Sequence, residues 1–360
     1  MIIFFKGILY LAFSFLLGGL ILESIPKHRK PNVKVPKELL LWSIVLIPIL
    51  IFVLLLQIIQ YLSQSIGYWE TFTSVLFNFD VGKAWLASIL IAVVLYLLVR
   101  RNELQETTFY ARLGAFLTVV LISSYSFSSH AASLYPLLGF FAHFLHVVAV
   151  SAWIGVLFYV AWFSNKRSEW IPFLNWYTPF SIGAVLLLSG GGLLLTEIVA
   201  PQYIDAWVLS YGQALLMKHL LLIPVLLYAV LHGFFLKRSL LKKGEANVKR
   251  SLQGEAIIIL VVFGVTGFLS QQTPPHEVWR TLLQNSPSPF FLKWFDGSID
   301  EKSIISFVAT SETYMWAAGA LVMLLFTAYT VIKRWPGWIG ALLGVAASAL
   351  AYAALMSGVV

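Results

Sequence analysis

Ten long apolar runs constrain this chain more than any other feature. A helix needs about 20 mostly apolar residues to cross a bilayer. Runs at roughly 2–22, 40–61, 83–99, 112–130, 137–163, 176–198, 211–236, 255–271, 314–332 and 337–358 approach or exceed that length. In lipid the backbone has no water to bond, so each run must satisfy its own N–H and C=O groups by coiling. The expected fold is all-α, a polytopic membrane helix bundle of about ten transmembrane helices. Pro48 and Pro224 lie inside two of the runs and predict kinks there. Composition agrees: 59% of residues are hydrophobic and 11% charged, against roughly 25% charged in a soluble domain. So few charges also exclude a nucleic-acid partner, despite a net charge of +8.

The basic residues orient the bundle. Lys27, Arg29, Lys30, Lys34 and Lys37 fill the connection 23–39, and Arg100, Arg101 and Arg112 flank the next alternate one. Lys166 with Arg167, then Lys237, Arg238, Lys242, Lys243, Lys249 and Arg250, and finally Lys333 with Arg334 continue the alternation. These connections hold 18 of the 24 Lys and Arg residues. The intervening ones carry Glu70, Asp80, Glu197, Asp205, Glu277, Asp296, Asp300, Glu301 and Glu312. Positive-inside placement puts both termini outside. In the first run the charges follow the apolar stretch, so it reads as a helix and not as a signal peptide. Four segments follow: residues 1–110 with three helices, a five-helix core 111–271, an extracytoplasmic loop 272–313 and a two-helix segment 314–360. The loop holds Pro274, Pro275, Pro287 and Pro289 with Trp279, Phe290, Phe291, Trp294 and Phe295, which suits a cap on the outer interface.

No nucleotide-binding loop, no HExxH or GxSxG pattern and no cysteine occurs, so no enzyme is expected. What remains is a small set of polar residues at membrane depth, which are costly and therefore functional candidates. His130 ends the fourth run, His143 and His146 lie about two turns into the fifth, and His219 about two turns into the seventh. At about 1.5 Å per residue, all four fall within roughly 12 Å of the outer boundary. His143 and His146, three apart, share a helix face that Val150 and Trp153 continue. Imidazoles gathered at one depth suit copper, zinc, iron or nickel. His232 lies about 20 Å deeper than His219; it is either a ligand on an inward path or an interfacial histidine. Met217, Met315 and His276 are further candidates on the path, each with an alternative role in packing or in a solvated loop. Lys218 is a charge inside a span, paired with Glu197, bonded to backbone carbonyls, or set to steer ions. Trp153 and Gly155 read as packing residues.

Several stretches then occur in a familiar order. Ser128-Ser129-His130-Ala131-Ala132 is followed by Leu145-His146-Val147-Val148-Ala149-Val150-Ser151-Ala152-Trp153-Ile154-Gly155, then by Phe180-Ser181. Tyr211-Gly212-Gln213-Ala214-Leu215-Leu216-Met217-Lys218, Glu255 and Thr273-Pro274-Pro275 complete the series. In these residues, from about 125 to 275, the sequence resembles the CopD family of membrane copper resistance and copper uptake proteins. Ser129 stands where that family has glycine, His232 where many members have asparagine, and His219 follows the motif lysine. The resemblance implies copper as the ion, most often taken up across the cytoplasmic membrane, with an extracytoplasmic copper-donor protein as a partner.

Three functions stay open at this point. One is a copper-binding transporter carrying the ion inward through His130, His143, His146 and His219. Another is a membrane electron carrier binding b-type heme between histidines on facing helices. The third is a factor delivering copper to a membrane cuproenzyme.

Overall fold

The computed structural model describes residues 3–101, 104, 107–165, 170–236, 238, 240–241, 248–295, 297, 299 and 305–360. Lys166, Arg167, Lys237, Lys242, Lys243, Asp296, Asp300 and Glu301, which belong to the charge pattern that orients the chain, lie outside them. Thirteen α-helices are present among the described residues: α1 (Ile3–Ser24), α2 (Lys37–Ile66), α3 (Tyr68–Asn78), α4 (Asp80–Arg101), α5 (Thr108–Phe127), α6 (His130–Leu134), α7 (Pro136–Phe163), α8 (Trp170–Val199), α9 (Ser210–Val230), α10 (Val248–Leu269), α11 (Val278–Gln284), α12 (Ser311–Ile332) and α13 (Gly337–Met356). A π-helical turn, Leu231–Leu236, continues α9. Ten of these helices are long and apolar enough to span a membrane. Helices continue through Pro48 and Pro224, and also through Pro179 in α8, which begins at Trp170, ahead of the apolar run that marks it.

Two elements escape the hydropathy pattern. The connection 62–82 contains α3, which buries Thr71, Val75 and Leu76 while Tyr68, Trp69 and Phe77 stay exposed. An aromatic-edged amphipathic helix of this kind suits a membrane interface. The fourth span also does not reach His130, contrary to the expectation from its apolar run: α5 stops at Phe127, and His130 opens the separate helix α6. Ser129 causes the break. Its side-chain oxygen accepts the N–H of Ala132 at 3.2 Å, capping the new helix.

The chain divides into two compact units, Phe5–Ile198 and Val199–Val360. In the N-terminal unit α4 packs on α5 and α2, and α5 and α6 pack on α7. Helix α7 is buried on all sides: every residue from Ala149 to Ala161 is covered, as expected of a helix apolar all round. Helix α1 lies against it through glycine. A Cβ at Gly155 would fall on the backbone of Ser14 and Gly18, and one at Gly18 on the backbone of Gly155, a small-residue crossing that lets two membrane helices touch.

The connection between α1 and α2 closes one end of this unit. Val33 pairs with Ser164, Asn165 N–H donates to Asn32 O at 3.0 Å, and Trp176 Nε1 donates to Arg29 O at 2.7 Å. Two connections expected on the same side of the membrane therefore do share an end. Lys30 is held there by Leu22 O at 2.7 Å and Glu23 at 3.4 Å. Burial pulls its ammonium below the ordinary value, and the Glu23 carboxylate opposes that.

In the C-terminal unit α9, α10 and α13 pack together and α12 packs on α13. The described residues of the loop 272–313 pack against one end of this unit. Phe291 and Val278 are buried with Trp207, Val208 and Ala206 of the α8–α9 connection, Ser288 N–H donates to Val208 O at 2.7 Å, and Phe307 pairs with Val359.

Candidate metal centre

Helix α7 carries two of the expected ligands. His146 Nδ1 lies 3.1 Å from Leu188 O on α8. A carbonyl only accepts, so Nδ1 bears the proton and the ring lone pair sits on Nε2. Helix α8 comes this close because it offers glycine: a Cβ at Gly191 would stand 2.8 Å from Ala142 O, and one at Gly192 3.4 Å from the His146 ring. His143 Nδ1 lies 3.0 Å from Ser126 Oγ on α5, and its ring stands 5.4 Å from that of Tyr125. Both histidines are half-buried, one helical turn apart, whereas His130 at the head of α6 is exposed.

His219 belongs to the other unit and is held in the same way. Its Nδ1 lies 2.8 Å from the Tyr203 hydroxyl in the connection before α9. Burial pushes that phenol up to about 12, so it keeps its proton at neutral pH and remains a neutral partner for the ring. In all three cases a protein oxygen engages Nδ1. That is how metal-binding imidazoles are oriented, with the second nitrogen turned to the ion. Among the described residues of either unit, no three or more His, Asp or Glu side chains gather at metal-ligand spacing.

The remaining candidates are placed as follows. Met217 and Lys218 are half-buried on α9, while Met315 and His276 are exposed. Glu197 is exposed near the end of α8. Trp153 is buried, its carbonyl accepting from Tyr177 OH at 3.2 Å.

His232 is the exception among the histidines. It is buried, with Nδ1 2.9 Å from Glu255 Oε2 and Nε2 2.6 Å from Ser251 Oγ. Both ring nitrogens are engaged by protein, which hydropathy and spacing do not reveal. The one hint is a glutamate inside an apolar run, four residues after a serine.

Comparison with known proteins adds two partial matches. Residues 171–269 match the family described as copper resistance protein D, and residues 1–140 match the one described as copper resistance protein D-like, N-terminal domain. Both matches are to families of copper resistance protein D type, each over less than half of the chain. The likeness is wider than the motif-bearing stretch from 125 to 275, since it takes in the first three helices, which carry none of the motifs. The CopD match itself covers most of α8, all of α9 and α10, and with them His219, His232 and Glu255. The N-terminal match includes His130, while His143 and His146 fall between the two. The copper transport protein CutJ of Bacillus subtilis (strain 168) is 26% identical over 307 residues, which is 79% of this chain and 54% of CutJ. The chain therefore spans about half the length of that curated relative. No solved structure matches.

Proposed function

We propose that this multi-span protein moves copper inward across the cytoplasmic membrane. His130, His143, His146 and His219, in the outer parts of their helices, handle the ion in passage. The observation that carries the reading is the shared Nδ1 anchoring of His143, His146 and His219 to protein oxygens, the arrangement by which metal-binding imidazoles are oriented. Ten spans and a CopD match supply the setting. A nitrogen-rich site binds copper before other divalent first-row ions. An ion in transit must be held firmly enough to enter and loosely enough to leave. Exposed His130 and His276 stand where an extracytoplasmic donor protein would pass the ion on. Copper is cargo on this reading, and the protein is not an enzyme.

The test joins metal analysis to accumulation. Purified wild-type protein is expected to retain copper, and His146→Ala to lose most of it. Cells lacking the protein are expected to accumulate less copper. Unchanged copper stoichiometry in the His143/His146 double alanine variant would sink the proposed ligand set. Normal accumulation with a failing membrane cuproenzyme would replace uptake by delivery.

A further inference from the structure

The far end of α9 from His219 holds a second arrangement, apart from the four histidines proposed to handle copper. The Leu231–Leu236 turn is π-helical, a winding that appears mostly as single turns, frequently at functional sites. It sets His232 against α10. There Ser251 and Glu255, four residues apart and so on one face, grip the ring from both sides. His232, Ser251 and Glu255 are 6%, 7% and 2% exposed. Tyr228, one turn back on α9, brings its ring to 5.7 Å. Thr330 from α12 and Arg334 from the connection after it line a small cavity with Tyr228 and Ser251. Helix α13 brings glycine, Gly337 and Gly340. Among the described residues, Glu255 bonds the imidazole, Tyr228 lies beside it, and Arg334 lines the cavity that Ser251 and Tyr228 share.

The hydrogen bonds fit two protonation states without moving a heavy atom. With a neutral ring, Nδ1–H donates to the Glu255 carboxylate and the Ser251 hydroxyl donates to Nε2. With an imidazolium, Nε2–H donates to Ser251 Oγ and the hydroxyl proton swings away, since a serine hydroxyl both donates and accepts. Neither state leaves a ring nitrogen unbonded. Ser251 also reaches the cavity, whose volume of about 10 Å³ is close to the room one water needs. The order serine, histidine, carboxylate is that of hydrolytic triads, but this space admits no ester or amide.

We propose that Ser251, His232 and Glu255 form a proton-binding site, loaded from the side of the basic connections, which couples copper passage to proton movement. In the loading step, Ser251 gives its hydroxyl proton to Nε2 and takes one from a hydronium arriving through the cavity, which leaves as water. The net change is one proton moved from solvent to imidazole. The proton site stands on its own geometry; only the coupling rests on the transport reading above.

Two measurements separate them. Infrared difference spectra of purified, histidine-labelled protein between about pH 5 and 8 read imidazole and carboxylate bands together. Wild type is expected to show a ring titration accompanied by a carboxylate change. His232→Gln should lose both, Glu255→Gln the carboxylate change, and Ser251→Ala should keep the amplitude while shifting the midpoint. Glu255→Gln preserves size and shape, and circular dichroism checks that each variant is folded. Wild-type spectra identical to those of His232→Gln overturn the site. In proteoliposomes supplied with copper, wild-type uptake is expected to change several-fold when a pH gradient is imposed. Glu255→Gln should bind copper normally and ignore the gradient. A variant responding like wild type overturns the coupling. Wild type that titrates but moves no copper refutes the transport reading and leaves the proton site supported.

Discussion

The hydrogen bond at Nδ1 bears on what His143, His146 and His219 can offer. His146 faces a carbonyl, so its tautomer is fixed with the lone pair on Nε2. Nitrogen-15 shifts are expected to report a neutral ring protonated at Nδ1. His219 faces a hydroxyl and can adopt either tautomer. Tyr203→Phe removes that orienting oxygen and keeps the ring packing. Copper affinity is expected to fall by about 10–100-fold, the usual cost of losing an outer partner, while thermal stability changes little. Equilibrium titration of the purified variant checks it, and an unchanged affinity would detach His219 from the ion. The identity of these histidines was legible in the chain, because a polar ring inside an apolar run stands out. Their partners were not. Ser126, Leu188 and Tyr203 sit 16 to 42 positions away from the rings they hold, and ordinary serines, leucines and tyrosines carry no mark of such a contact.

Among the helices, legibility followed length. Ten spans emerged because crossing lipid demands a long apolar run whatever its neighbours. Elements shorter than the bilayer were hidden: α3 has the mixed composition of a loop, and the break before α6 turns on the side chain of Ser129 alone. The π turn was hidden too, since winding leaves no trace in hydropathy. Helix contacts yield a further test. Gly155→Leu would drive a side chain into the backbone of α1; overpacking of this kind typically costs about 1–3 kcal/mol. A lower unfolding temperature in detergent is expected. Gly183→Leu on α8, where a Cβ meets nothing within 4 Å, should be tolerated. Equal losses in both would deny the α1–α7 crossing its importance.

For the molecule as a whole, charge placement predicts which ends face the cell interior. The chain has no cysteine, so single cysteines report cleanly. Asn285→Cys in the loop over the C-terminal unit is expected to react with an impermeant maleimide in intact cells. Lys333→Cys, between α12 and α13, should react only after permeabilisation. The reverse pattern would invert the orientation and with it the direction of transport.

The bonds that tie the α1–α2 connection to the far end of α7 also bear on how the protein is made. Val33 must wait for Ser164, and Gly18 for Gly155. At ribosomal speeds of about 5–20 residues per second, that delay is roughly 7 to 26 seconds. During it the glycine face of α1 lies in the bilayer with its native cover still unsynthesised. The early helices are thus open to capture by membrane insertion chaperones or by neighbouring chains until α7 arrives, and assembly of the N-terminal unit is governed by its fifth span.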